Sequence, residues 1–222
     1  MPKESLSMDR VLAAALHIAR TEGFQALTMR RLAAELHVTQ MAAYYYIKDK
    51  EQLVALVADA ALEPVRLPGP EAGTWEDRWA LQIQSSLEAM ASYPGMGQAM
   101  ASMRLTPHAV RLMHEIVEML VEAGFTLDDA RRAYALMHTY IFGRVVIKER
   151  LSYRIAQTDG SHGRDEYFPK PSKHLGSQDF ELYAVRAILA GIQMQRLATL
   201  GGAGRASDSK EMGSEAIRAL TE

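Results

Sequence analysis

The side chains best placed for recognition chemistry sit in one short run, where Thr39, Gln40, Met41, Ala42, Tyr44 and Tyr45 follow one another without a charged residue between Gln40 and Tyr46. A carboxamide, hydroxyls and small or apolar groups can read hydrogen-bond patterns and methyl groups on a flat partner. They cannot supply acid, base or nucleophile at neutral pH. The rest of the chain offers no better site for bond-making. It has no cysteine, so no disulfide, thiolate nucleophile or thiolate metal site is available. It has no glycine-rich phosphate loop, no His-Glu-x-x-His and no nucleophile elbow. His108, His114 and His138 invite a metal reading, but only His114 with Glu118 stands at the i, i+4 spacing of a ligand pair. Such a pair on a solvated helix is ordinarily a salt-bridge neighbour. No catalytic role, metal or cofactor is expected.

The elements that must present the uncharged run are helices. Val11, Leu12, Ala15, Leu16, Ile18 and Ala19 recur at helical spacing between a Ser7 cap and a Gly23 stop. Thr28 caps a short helix with Leu32, Ala33 and Leu36 inward, and a turn of about three residues follows. Thr39 then caps a helix expected over 40–46. A fourth helix over 50–62 carries Leu53, Val54, Leu56, Val57 and Ala61 on one stripe, and Pro64 ends it. Residues 63–73, rich in Pro and Gly, read as a connector. Beyond it, caps at Thr74 with Asp77, at Thr106 with Pro107 and at Thr126 with Asp129 predict helices over 75–92, 95–102, 107–123 and 127–152, with a last one over 179–199. The segment 155–178 is too polar for an ordinary bundle loop and reads as a mobile loop or lid.

Two short helices joined by a tight turn, braced by a longer first helix and followed by a connecting helix, make a helix-turn-helix. Arg10-Val-Leu-Ala-Ala-Ala-Leu, Glu22-Gly-Phe-Gln-Ala-Leu-Thr-Met-Arg-Arg-Leu-Ala and Val38-Thr-Gln-Met-Ala-Ala-Tyr-Tyr-Tyr-Ile-Lys-Asp-Lys-Glu-Gln-Leu resemble, in that order, the signature of the tetracycline repressor family. The resemblance implies a DNA-binding transcriptional regulator, most often a repressor, of all-α class. It implies a three-helix DNA-binding domain over 1–62, a helical-bundle ligand-binding and dimerisation domain over 63–200 and a flexible tail over 201–222. Gln40 can then pair with adenine, Thr39 reach a base edge or phosphate, and Ala42 leave room for a thymine methyl, with Met41 beside it. Tyr44, Tyr45, Lys48 and Lys50 are expected at the phosphates, the two lysines at the positive end of the fourth helix, Arg30 at a phosphate or a guanine, and Thr28 among the DNA-binding residues. Three successive tyrosines diverge by about 100° each, so at least one must face inward. Tyr46 is the expected one. The seven Lys/Arg of residues 1–62 balance seven Asp/Glu, so DNA binding must rest on local geometry rather than net charge.

Thr74-Trp75-Glu-Asp, Glu122-Ala-Gly-Phe-Thr-Leu-Asp-Asp-Ala and Phe180-Glu-Leu-Tyr-Ala-Val-Arg-Ala-Ile-Leu-Ala-Gly-Ile resemble the C-terminal domain of the tetracycline-repressor class. That resemblance implies a homodimer, its interface a four-helix bundle made by the 127–152 helix, the last helix and their twofold mates. Small Gly143, Ala184, Ala187, Ala190 and Gly191 would allow close approach. Position by position it implies a ligand site of Gln82, Ser86, Met100, Arg104, Met113, Ile116, Val117, Tyr134, Met137 and His138, with Arg104 as polar anchor. Seven methionines between 90 and 137 (Met90, Met96, Met100, Met103, Met113, Met119 and Met137) suit either an adaptable pocket or plain core. Met100 replaces the family's magnesium-holding histidine and Ile147 its metal-water glutamate, which argues against a magnesium-tetracycline site.

The expected partners are therefore double-stranded DNA with a pseudo-palindromic operator, a small and largely apolar ligand, and a second copy of the chain. No membrane partner is expected, since no stretch reaches the roughly 20 apolar residues that span a bilayer and no secretory signal opens the sequence. A cytoplasmic location fits. An adaptor that keeps the fold without binding DNA is the main alternative, and the balanced charge of the first 62 residues leaves it open.

Overall fold

The computed structural model describes residues 6–157, 180 and 182–198, all of the regular structure among them being helical. Helix α1 (Met8–Thr21) starts where the Ser7 side chain accepts from the Arg10 N–H, and it buries Val11, Ala15, Ile18 and Ala19. Gly23, at φ 86°, turns the chain into a single 3-10 turn at Phe24–Ala26. Thr28 caps α2 (Met29–Glu35), which buries Met29, Leu32 and Ala33. Thr39 caps α3 (Gln40–Tyr44), and Asp49 caps α4 (Lys50–Leu62) by accepting from the Gln52 N–H at 2.8 Å.

Helix α3 is shorter than its periodicity predicts. The chain must bring Ile47 fully into the core, and the Tyr46 and Ile47 N–H groups both close on the Ala43 carbonyl as the helix ends. Tyr46 is half-buried, and its hydroxyl donates to the Leu6 carbonyl. Its neighbours Tyr44 and Tyr45 stay exposed.

In the second half, the Thr74–Asp77 capping box starts α5 (Trp75–Ala91), and Gly95 in the left-handed region starts α6 (Met96–Ala101). Thr106 and Pro107 start α7 (Pro107–Glu122). The Thr126 hydroxyl oxygen accepts from the Asp129 N–H at the start of α8 (Leu127–Gln157). Helix α8 runs past its expected end at 152, into the stretch read as a loop. A last helix, α9, is described over 182–198. The expected loop beyond 157 and the expected tail 201–222 lie outside the described residues.

Two apolar cores organise these helices. The first joins α1, α2, α3 and α4 to Met90, Tyr93, Met96, Ala109, Leu112 and Val145 of the second half. The other gathers Trp75, Trp79, Ile116, Leu120, Phe125 and Met137 with Val185, Leu189 and Ile192 of α9. Burying Leu53 or Val57 completely contributes about 1.5–3 kcal/mol each. The first core thus crosses the expected domain division. The stretch 63–73 is packed rather than loose: Val65 is buried, Arg111 donates to its carbonyl, and Arg78 donates to that of Pro68. At the same seam the Phe24 N–H donates to the Pro94 carbonyl at 2.8 Å, and Arg20 donates to the Tyr93 hydroxyl at 3.0 Å. A side chain on Gly23 would come within 3.0 Å of that Pro94 oxygen.

The turn between α2 and α3 holds the one non-glycine residue with positive φ among those described, His37 at 54°. An L-residue there carries a steric cost that a β-branched side chain raises. His37→Val should therefore lower the unfolding free energy by about 1–2 kcal/mol in urea titration, whereas His37→Gly should leave it unchanged or raise it.

Candidate nucleic-acid interface and apolar cavity

Helix α3 stands on two fully buried residues, Ala43 and Ile47, and turns everything else outward. Thr39 and Gln40 are exposed, Met41 is 80% exposed and Tyr45 85%, while Tyr44 is about half exposed and Ala42 half-buried. Arg30, Lys48 and Lys50 are exposed around this face, and half-buried Thr28 is occupied in part as the α2 cap. Of the ten expected DNA-facing residues, all but half-buried Thr28 and Ala42 are thus exposed. Two electrostatic details depend on tertiary contacts and local capping. Arg31, next to Arg30, is held between Glu22 at 2.6 Å and Glu35 at 2.7 Å, so its charge is committed within the protein. Its hydrogen bonds hold the Glu22 carboxyl below the usual range. The Asp49 cap also sits over the N-terminus of α4, so the helix dipole expected to favour phosphate there is offset by a carboxylate. Lys48 and Lys50 flank that carboxylate and must supply the attraction as charges.

The second candidate site is a cavity open on one side, about 570 Å³ with the solvent-filled mouth included, lined by residues of α4, α5, α6, α7 and α8 and the link before α7. Seven of the expected residues line it: Gln82 and Ser86 from α5, Met100 from α6, Ile116 from α7, and Tyr134, Met137 and His138 from α8. Three do not. Arg104 is exposed in the short link between α6 and α7, where its neighbour Leu105 takes the lining position and Thr106 is buried as the α7 cap. It is not among the lining residues. Met113 and Val117 are half-buried and lie one position past the lining residues Leu112 and Ile116, a rotation of about 100° that takes them off the wall. Of the seven clustered methionines, only Met90, Met100 and Met137 line the cavity, while Met96 and Met119 are core.

The sequence reading missed several lining residues, among them Trp79, Phe142 and Leu62. Leu62 is the last residue of α4 and of the expected DNA-binding domain, and it also joins the first core. The polar groups of the cavity are few. Gln82 and Ser86, both buried, are hydrogen-bonded to each other at 2.8 Å. Burial pushes the Tyr134 hydroxyl up and the His138 imidazole down from their ordinary values, so both are uncharged at neutral pH. Among the described residues no group of three or more His, Asp or Glu could hold a metal ion, and no helix is long and apolar enough to cross a membrane.

Beside the cavity, Asp59 of α4 meets the first turn of α7. Its carboxylate accepts the His108 N–H at 2.8 Å and lies 2.9 Å from the His108 imidazole Nδ1. Burial raises the Asp59 pKa, but hydrogen bonds from His108 and Thr106 outweigh it and hold the carboxyl below its usual value. These residues are 49 apart in sequence, and nothing in the local pattern announces the pair.

Comparison with known proteins agrees with this architecture. Residues 11–57 match the family model described as bacterial regulatory proteins, tetR family, and residues 67–170 the model described as tetracyclin repressor-like, C-terminal domain. The HTH-type transcriptional repressor DrrR1 of Streptomyces coeruleorubidus is 28% identical over 188 residues, covering 82% of this chain and 69% of its own length. Across that protein and four further actinobacterial or mycobacterial regulators, this chain spans 61% to 69% of the matched protein's length. Among solved structures, Streptomyces coelicolor ActR in complex with actinorhodin superposes with a TM-score of 0.69 at 24% identity, covering 86% of this chain and 96% of ActR. BioQ with its double-stranded DNA operator superposes at 0.65 and 22% identity, covering 85% of this chain and 98% of that one.

The buried imidazole gives a pH test of the cavity. A histidine whose pKa is lowered by folding binds its proton more weakly in the native state than in the unfolded chain. It leaves stability untouched above its ordinary value of 6.5 and erodes it as the pH falls below that toward the depressed value. His138→Phe, which keeps a ring in place, should flatten that part of the stability profile when urea midpoints of the two proteins are overlaid from about pH 7.5 to about pH 5.

Proposed function

The chain belongs to the tetR family of bacterial regulatory proteins, and from that premise we propose that it is a transcriptional repressor, released from its operator by a small, largely apolar ligand other than magnesium-tetracycline. The observation that carries the reading is the exposed, uncharged face of α3 above buried Ala43 and Ile47. A neutral surface can approach base edges, while Arg30, Lys48 and Lys50 hold the backbone on either side. Gln40 reads adenine, Thr39 a base edge or phosphate, and Met41 and Ala42 thymine methyls; Thr28, Tyr44 and Tyr45 bond to phosphate. The repressor DrrR1, the operator complex of BioQ and the actinorhodin complex of ActR support this reading by analogy. The protein acts in the cytoplasm and has no catalytic activity.

The working unit in this proposal is a homodimer, because two recognition helices must meet half-sites roughly 34–36 Å apart. The exposed faces of α8 and α9 support it. Leu136 and Ile147 on α8, and Tyr183 and Met194 on α9, are each at least half exposed in the single chain. Gly143 and Gly191 lie on the same faces, and a side-chain carbon added at either would meet nothing within 4 Å. Their smallness serves no contact within the described chain and suits close approach of a second copy.

Release follows if ligand favours one of two arrangements of α4. That helix ends at Leu62 in the cavity wall, is tied to α7 through Asp59 and begins beside the DNA face, so one rigid element touches both sites.

Gel shifts with the promoter DNA adjoining its own gene should give a specific, salt-dependent complex; an adaptor without DNA-binding function would give none. With that DNA, Gln40→Ala should cost about 1–3 kcal/mol of discrimination per half-site. Lys50→Ala should weaken all sequences alike and reduce the salt slope by about one ion per half-site. Equal effects of both substitutions on every sequence would contradict these roles. Met194→Asp, present twice across a twofold axis, should raise the dimer dissociation constant by about tenfold or more in sedimentation equilibrium.

A further inference from the structure

We infer that Met41 is a reversible oxidation site: a peroxide converts its thioether to the sulfoxide and takes the protein off DNA, and a thiol-dependent reductase restores it. The inference rests on the DNA-binding reading of α3 and adds a chemical control to that face.

Exposure and redox chemistry single the residue out. The chain has no cysteine, so no thiolate competes for a two-electron oxidant and the thioethers are left to react. Most are shielded from it. Met29, Met90, Met96, Met119 and Met137 are buried, while Met41 is 80% exposed, more than any other described methionine. Met194 follows at 71%, but it lies on the face that the proposed second copy covers.

The fold makes little use of the Met41 side chain. Helix α3 is held by the Thr39 cap and by Ala43 and Ile47 beneath it, and Met41 belongs to neither apolar core. Oxidising it therefore leaves the structure standing, whereas a sulfoxide on Met96 or Met137 would force a polar group into a core. The site can change its chemistry without unfolding the protein.

The step balances with named reactants. One oxygen of the peroxide bonds to the Met41 sulfur as the O–O bond breaks, and hydrogen peroxide leaves as water. In the reverse direction two thiols become a disulfide and the sulfoxide oxygen leaves as water. The product carries a polar oxygen that only accepts hydrogen bonds. Its proposed partner on DNA, a thymine methyl, offers no donor, so that oxygen would lose its water without replacement. Bound DNA covers Met41, so the peroxide acts on the released protein and prolongs its release.

The full-length protein is treated with hydrogen peroxide, with and without the promoter DNA adjoining its own gene. Peptide mass spectrometry then locates each added oxygen, gel shifts give DNA affinity, and circular dichroism melts report the fold. Met41 should react at least about fivefold faster than Met96 or Met137, and promoter DNA should slow it by about as much. Its oxidation should weaken the specific complex about tenfold or more with the melt unchanged. Methionine sulfoxide reductases A and B with dithiothreitol should restore binding. Met41→Leu protein is compared only with itself before and after treatment, and its affinity should change by less than about twofold. Slow reaction at Met41, no protection by DNA, unchanged affinity once Met41 is oxidised, or an equal loss in Met41→Leu protein overturns the inference. Untreated protein that gives no specific complex removes the DNA-binding reading, and this inference with it. Untreated protein that binds, and binds equally well after Met41 is oxidised, removes this inference alone.

Discussion

Helix α4 is held on two sides at once, and the packing of the two halves of the molecule depends on that double attachment. Leu53 and Val57 fix it in the core beneath the DNA-facing unit, where both are fully buried. At its other end Leu62 forms part of the cavity wall, and Asp59 caps the start of α7 from within the same turn of helix. An α-helix with its backbone bonds intact moves as a rod. In the proposed release, a ligand that pushes on Leu62 or shifts α7 acts on an element whose opposite end carries Lys50 and the Asp49 cap. The coupling needs no chain of intermediaries, only a difference in ligand affinity between two positions of one rod.

Helix α3 is, by contrast, too short to exist on its own. Five residues cannot repay helix nucleation. Helix α3 is instead imposed from outside, by the Thr39 cap, by Ala43 and Ile47 beneath it, and by Tyr46 bonded to Leu6. This frees the outward positions from any structural duty. Met41 and Tyr45 can be more than three-quarters exposed without weakening the fold, since their side chains contribute little to it. The same division of labour holds at Arg30 and Arg31. The second is spent on Glu22 and Glu35 to brace α2 against the end of α1, and the first is left facing solvent.

The cavity follows a different logic. Its walls belong to helices that also make up the two cores, so its shape is set by packing and its few polar groups are spaced by helical geometry. Gln82 and Ser86 are one turn apart on α5, as are Tyr134, His138 and Phe142 on α8. Burial keeps the one imidazole neutral and the one phenol protonated. The result is an apolar space with few polar groups and no charged side chain among its lining residues.

The sequence by itself determined the helices and the motif. Caps at Ser7, Thr28, Thr39, Thr74, Thr106 and Thr126 are local hydrogen bonds, and the apolar stripes have a helical period, so both can be read without knowing what lies opposite. The tertiary structure decided everything that depends on neighbours distant in sequence. Periodicity says that α7 has a buried face. It does not say that Ala109, Leu112 and Ile116 line a cavity while Met113 and Val117, one position on, do not. It gave Arg104 no direction, and a short link between two helices turned it to solvent. Asp49 over α4, Asp59 against His108 and Leu62 in the cavity wall were all settled by how α4 packs. The end of α3 was fixed by the need to bury Ile47, a tertiary demand that overrides a weak local preference to continue the helix.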